Sequence, residues 1–198
     1  MKVLFATTNP AKVEKYREEL QRKGIKLITL NDLDTKIHVE ESGKNAVENA
    51  YLKAKAYYDL THLPTIGMDN NLFIEGLPEE LQPGVFVRRV NGKELNDEEM
   101  ILHYTNLVEK YGGKLKAKWV YGMVLINNDK VHEYSWSKSE FYLVDKPHEK
   151  RNPGYPLDSI AIDIKLNKYF VELTKEDKMK NDNQKLDDDV VKFIVNSL

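Results

Sequence analysis

The chain contains no cysteine. That excludes disulfides, thiolate nucleophiles and zinc–thiolate centres, and it is compatible with the cytosol. No apolar run approaches the roughly 20 residues that a membrane-spanning helix needs. Neither sign of charge prevails: 30 Lys and Arg face 32 Asp and Glu, a formal net charge of -2. Such a balance gives no general electrostatic reason to expect nucleic acid or a membrane surface as partner. The five histidines show no metal-ligand spacing, and neither G-x-S-x-G nor G-x-x-x-x-G-K-[ST] occurs. Internal repeats, linkers and low-complexity tracts are also missing. The opening MKVLFATTNP has one lysine and a short apolar run, and reads as a first β-strand and not as a signal-peptide core.

What is present is ample for a core. The 198 residues are 41% hydrophobic and 31% charged. This suits a single domain over residues 1–198, with room for two lobes.

Periodicity gives a coarse architecture. Lys2 to Ala6 is apolar, as a buried strand is. Asn9-Pro10 starts a helix with Val13, Tyr16, Arg17 and Leu20 at helical spacing, and Gly24 stops it. Ile25 to Leu30 reads as a second strand and Ile37 to Val39 as a short third. Asn45 to Leu60 is alanine-rich and free of glycine and proline, a long helix. Thr65 to Met68 reads as a short strand leading into Asp69, and Leu72 to Ile74 is expected to pair with Val85 to Val90. Asp97 to Tyr111 follows Asn96 as a capped helix. Lys118 to Ile126 and Val131 to Val144 read as two long strands turned by Asn127-Asn128-Asp129. Ser159 to Ile164 reads as a strand and Asp187 to Val195 as a C-terminal helix. The order predicts an α/β fold with a mixed sheet and flanking helices.

Three places carry candidate chemistry. Thr7 to Lys12 joins a strand end to a helix start. Free backbone N–H groups and the positive helix end suit a phosphate there, with Lys12 adding a full charge. A capped helix is the plain alternative. In Glu40 to Ala56, residues Asn45, Glu48, Asn49, Leu52 and Lys53 share one helical face. Such a polar face is ordinarily solvated. Glu41, just upstream, is a carboxylate able to meet a metal also held by Asp69. Asp69 itself follows a strand, where open α/β sheets put their ligands, although Asp-Asn also starts turns. Glu41 and Asp69 together are hard oxygen donors suited to Mg²⁺, and Lys12 and Lys53 suit phosphates.

These residues, in this order, resemble the inosine/xanthosine triphosphate pyrophosphatases. The match runs through Ala6-Thr7-Thr8-Asn9-Pro10-Ala11-Lys12, Glu41-Ser42-Gly43 and Glu48-Asn49-Ala50-Tyr51-Leu52-Lys53-Ala54. It continues through Leu63-Pro64, Met68-Asp69-Asn70-Asn71-Leu72, Pro83-Gly84-Val85 to Arg88 or Arg89, and Glu172-Leu173-Thr174-Lys175-Glu176-Asp177-Lys178. The resemblance implies a long twisted mixed sheet with flanking helices, two lobes around a central cleft, and a cytoplasmic homodimer. It implies Mg²⁺-dependent hydrolysis of a noncanonical purine nucleoside triphosphate to monophosphate and pyrophosphate. Asp69 would activate water and, with Glu41, hold the metal. Thr7, Thr8, Asn9, Lys12, Lys53 and Lys178 would hold phosphates. Asn70, Gly154, Tyr155, Asn183 and Gln184 would face the base.

The chain departs from that family on the base side. Met68 stands where the family has an acid, and a thioether is a poor Mg²⁺ ligand. Pro153-Gly154-Tyr155-Pro156 replaces Phe-Gly-Tyr-Asp, with Asp158 two positions on as a stand-in. Asp182-Asn183-Gln184 replaces Ser-His-Arg, so neutral amides stand where charge-assisted donors read a keto oxygen. Three readings follow: a pyrophosphatase with an altered base pocket, a weak or inactive relative that binds nucleotide, and a structural dimer.

Overall fold

The structure, a computed structural model, describes residues 1–35, 37–174, 176–177 and 183–198, and for residues 11 and 183–185 the backbone only. In chain order the elements are β1 (Lys2–Ala6), α1 (Pro10–Arg22), β2 (Lys26–Thr29), α2 (Ala46–Thr61), β3 (Thr65–Ile74), β4 (Arg89–Val90) and β5 (Lys93–Glu94). Then come α3 (Asp97–Lys110), β6 (Lys114–Asn127), β7 (Lys130–Ser137), β8 (Phe141–Val144), β9 (Ala161–Asp163), β10 (Lys168–Tyr169) and α4 (Asn183–Asn196). Contacts divide the chain into two compact units: residues 1–70, 120–136 and 184–198, and residues 71–119 and 137–183.

In the first unit β1 pairs in parallel with β2 and with β3, Leu4 facing Thr65 and Ala6 facing Gly67. β3 neighbours β6, which carries β7. Strand side chains alternate between two helix layers. Val3, Phe5, Ile66, Met68, Met123 and Leu125 pack against Val13, Tyr16 and Leu20 of α1 and Val190 and Ile194 of α4. On the other face Val124 and Ile126 pack with Ala50 and Ala54 of α2. That helix lies unusually close to the sheet. A Cβ on Gly67 would stand 1.9 Å from the Ala50 carbonyl oxygen, and one on Gly122 would stand 2.4 Å from the Val47 nitrogen. Asn45 caps α2, its Oδ1 accepting from the Glu48 N–H at 3.0 Å.

In the second unit β6, β8, β9 and β10 run antiparallel in that order. α3 packs on them through Met100, Ile101, Tyr104 and Val108. Asn96 and Glu99 close a capping box at its start, and Asp97, Glu98 and Glu99 suit its positive end.

Four expectations are corrected. Residues 37–39 form no strand. The Tyr57 hydroxyl donates to the Ile37 carbonyl at 3.0 Å and tethers that segment in place of a neighbouring strand. The strand expected from 131 to 144 is two strands, β7 and β8, broken at residues 138–140. Asp69 lies in the middle of β3, not after its end. Leu72 meets Gly84 in an isolated bridge, and Arg89–Val90 pairs instead with Lys93–Glu94. The Asn128-Asp129 turn is borne out: both residues have positive φ, 48° and 59°, which Asn and Asp tolerate best.

Candidate active site

Asp69 sits two residues past the Ala6–Gly67 pair that ends the β1–β3 ladder. β1 has already stopped there while β6 continues on the other edge, and the Asp69 side chain leaves the sheet on the face covered by α2. Asp69 is 9% exposed and Asn49, facing it from α2, only 1%. Asn49 Nδ2 donates to Asp69 Oδ2 at 2.9 Å, while Asn49 Oδ1 accepts from the Gly43 N–H at 2.7 Å. One amide therefore orients the acid and pins the loop that carries Glu41. Gly43 is needed for this approach, since a Cβ there would stand 2.6 Å from Asn49 Oδ1.

One helical turn beyond Asn49, Lys53 reaches both carboxylates. Its Nζ lies 2.9 Å from Glu41 Oε2 and 3.3 Å from Asp69 Oδ1. Lys12, in the first turn of α1, donates from Nζ to the Met68 carbonyl at 3.3 Å. Burial pushes the Lys12 ammonium down to about 8; Asp69 and Glu41 oppose that shift and Lys53 adds to it. Two acids and two amines thus share one half-enclosed place. Isolated buried charges are costly, and here each acid has a cation within reach.

The remaining predicted residues divide. Thr7, Asn9 and Lys12 belong to the same strand–helix junction: the Asn9 N–H donates to Thr7 Oγ1 at 3.2 Å, and the Lys12 N–H to the Asn9 carbonyl at 3.2 Å. Thr8 is exposed beside them and Asn70 half-buried after Asp69. Gly154 and Tyr155 belong to the second unit; Gly154 has φ +80° and Tyr155 is exposed. Asp158, the stand-in acid, accepts from Asn152 Nδ2 at 2.8 Å. Lys178 lies outside the described residues, and Asn183 and Gln184 are described only as the backbone start of α4.

Met68 is not a gap in the acid cluster. Its side chain is buried in the first unit's core, on the opposite face of β3 from Asp69. Two residues were missed. Asn49 sits on the helical face that reads as solvated, yet it is buried; its spacing of four from Lys53 was the available signal. Asp97 showed only as a helix-start acid. It accepts from Arg88 Nη2 at 2.9 Å and from the Gly154 N–H at 2.8 Å, and these hydrogen bonds, Gly154's first, hold its carboxyl below the usual range.

Fold and site together define a mixed-sheet α/β protein with an acid–lysine cluster beside the ends of its parallel strands. The chain belongs to the Ham1 family, whose model matches residues 3–185. It is 31% identical over 192 residues to a Leptospira interrogans protein named dITP/XTP pyrophosphatase, covering 96% of this chain and 95% of that one. An Aquifex aeolicus protein of the same name is 31% identical over 189 residues, covering 91% and 89%. Among solved structures, a HAM1 protein from Coxiella burnetii superposes with a TM-score of 0.79 at 24% identity, over 99% of each chain. A nucleoside-triphosphatase from Mycobacterium abscessus, also described as a dITP/XTP pyrophosphatase, has a TM-score of 0.67 at 25% identity, over 90% and 92%. No helix among the described residues is long and apolar enough to cross a membrane.

Proposed function

We propose that the protein hydrolyses noncanonical purine nucleoside triphosphates to the monophosphate and pyrophosphate, acting as a cytoplasmic homodimer. The observation that carries this reading is the Lys53 ammonium lodged between Glu41 and Asp69, with Lys12 beside them. A polyphosphate reaction needs positioned cations and a base, and little covalent chemistry from the protein. The family membership and the relatives' names supply the reaction class.

The donor set fits Mg²⁺. That ion prefers oxygen ligands, keeps several waters, and is usually held by one or two carboxylates together with substrate phosphates. Glu41 and Asp69 are two such carboxylates, already drawn toward one positive centre. Bound there, Mg²⁺ would neutralise charge on the phosphate oxygens. The protein's own residues do the rest. The side chains of Thr7, Thr8 and Asn9 and the Lys12 ammonium hold the phosphate chain, with Lys53 and Lys178 adding charge. Asp69 accepts a proton from water as its oxygen bonds to the α-phosphorus and the α–β bridging bond breaks. Asn49 keeps Asp69 Oδ2 engaged, and Oδ1, which meets the Lys53 ammonium at 3.3 Å, is the oxygen that would take the proton from water. Base reading is assigned to Asn70, Gly154, Tyr155, Asn183 and Gln184, which bring neutral amides and a tyrosine ring in place of charged readers.

The test is pyrophosphate release with Mg²⁺ from inosine, xanthosine, standard ribo- and deoxyribonucleoside, and damaged pyrimidine triphosphates. Release fastest from inosine or xanthosine triphosphate is expected. Release fastest from another base would keep the reaction and overturn the purine preference. No release from any, with Asp69→Asn indistinguishable, would leave a nucleotide-binding protein.

A further inference from the structure

The second unit holds a polar hub that the reaction above does not use. α3 begins with Asp97 and Glu98, and two loops converge on that first turn. From one side, Arg88 donates from Nη2 to Asp97 Oδ1 at 2.9 Å and from Nη1 to the Leu95 carbonyl at 3.0 Å. Tyr104, also on α3, donates its hydroxyl to the Val87 carbonyl at 2.8 Å, so this loop is tied at two successive residues. From the other side, the Gly154 N–H donates to Asp97 Oδ2 at 2.8 Å, and Arg151 Nε meets Glu98 Oε1 at 2.7 Å. Each oxygen of Asp97 thus serves a different loop. Arg89, the next residue along, lays its guanidinium over the exposed Phe86 ring.

We propose that Asp97 is a positioning residue for base recognition: its carboxylate locks the Arg88 loop to the Gly154–Tyr155 turn and so fixes the exposed Tyr155 ring against the nucleobase. This rests on the reading of Tyr155 as a base-facing residue. The chemistry requires a carboxylate. Two N–H donors approach from opposite sides, and only an acceptor-only group takes both. The Pro153-Gly154 turn is closed by the Tyr155 N–H donating to the Asn152 carbonyl at 2.8 Å with Gly154 at φ +80°, and the bond to Asp97 is what fixes that preformed turn to the start of α3. Charge-assisted bonds of this kind are the stronger ones, which suits a clamp between the turn and α3.

The test compares Asp97→Asn with the wild type on two probes, a nucleoside triphosphate and inorganic tripolyphosphate, which has no base. Asparagine can keep Arg88 but presents an N–H to Gly154. The KM for the nucleotide is expected to rise about tenfold with kcat within about twofold. The Kd for Mg²⁺-tripolyphosphate is expected to stay unchanged, and the Gly154 amide to exchange faster with solvent. A change of tripolyphosphate affinity in parallel, or no change in nucleotide KM, would overturn the proposal. Should Asp97→Asn not fold, Arg88→Lys carries the same comparison, because an ammonium cannot span Asp97 and the Leu95 carbonyl together. If the wild type released no pyrophosphate at all, the enzymatic reading would fall. The nucleotide Kd, set against the tripolyphosphate Kd, would then decide the role of Asp97.

Discussion

At the scale of single residues the site is a balance of buried charge. Asp69 receives an amide hydrogen from Asn49 and an ammonium from Lys53. Asp69→Asn keeps the shape but has one acceptor oxygen for those two donors. Pyrophosphate release is expected to fall about 10²- to 10⁴-fold, the usual range for loss of a general base. Stability should fall by about 1–3 kcal/mol, the usual cost of an unmet buried donor. Steady-state kinetics with urea unfolding measures both, and full activity in the variant would remove Asp69 as the base. Lys12 makes a prediction of opposite sign. Its folded value, about 8, lies below the ordinary 10.5. Between those two pH values the unfolded chain binds more protons, so this residue makes stability rise with pH there; below 8 its buried charge is a full liability. Lys12→Met should therefore raise the melting temperature at pH 7 relative to wild type, and the gain should shrink toward pH 10.5. For the same reason kcat/KM of the wild type should decline above about pH 8, as the phosphate-holding charge is lost. A flat profile through pH 9 would assign that charge elsewhere.

At the scale of elements the site depends on how closely α2 approaches β3. Gly67 makes this possible, and Gly67→Ala would drive a methyl to 1.9 Å from the Ala50 carbonyl. Backbone cannot yield as a flexible side chain does. The helix would have to lift, carrying Asn49 and Lys53 away from Asp69. We expect a loss of about 3 kcal/mol or more, in the range of severe overpacking, together with a fall in turnover at temperatures where the variant is still folded. Calorimetry and a cold activity assay test this; a stable, fully active alanine variant would show that α2 can retreat without cost to the site. Much of this element scale was legible beforehand. Asn45 and Asn96 announced their helices, and Asn128-Asp129 its turn, because caps and turns are set by local hydrogen bonds. The burial of Asn49 was not. A period of 3.6 says which residues share a face, and only the packing partner says whether a polar face is wet. The break between β7 and β8 was hidden for a similar reason. Residues 131–144 keep strand composition except for the short polar run Lys138-Ser139-Glu140, which is too brief to mark a break until β8 is seen to pair with β9 and β6.

At the scale of the whole molecule, the chain's order conceals its assembly. The first unit gathers three separate stretches, and the acid–lysine cluster draws on residues 12, 41, 49, 53 and 69 from the first of them. The hub at Asp97 joins residues 57 positions apart. The cluster could be read from ordered motifs within some sixty residues; the hub could not, because nothing local marks Asp97 as more than a favourable acid at a helix start. This division gives a last prediction. A ligand that binds only the folded protein stabilises it by RT ln(1 + [L]/Kd), about 2.7 kcal/mol at a hundredfold excess over Kd. For a chain of this size each kcal/mol shifts the melting temperature by about 2–4 °C, so a nucleoside triphosphate with Mg²⁺ should raise it by about 5–10 °C. With chelator present, Glu41 and Asp69 are left facing the phosphates with only the lysines between them, and most of that protection should vanish. Hydrogen exchange locates the effect: the Mg²⁺-dependent part should fall on amides of β1, α2 and β3, the elements that hold Glu41, Lys53 and Asp69 or flank them. Equal protection in chelator would mean that Lys12 and Lys53 hold the phosphates unaided. The two carboxylates would then serve to position Lys53 and not a metal.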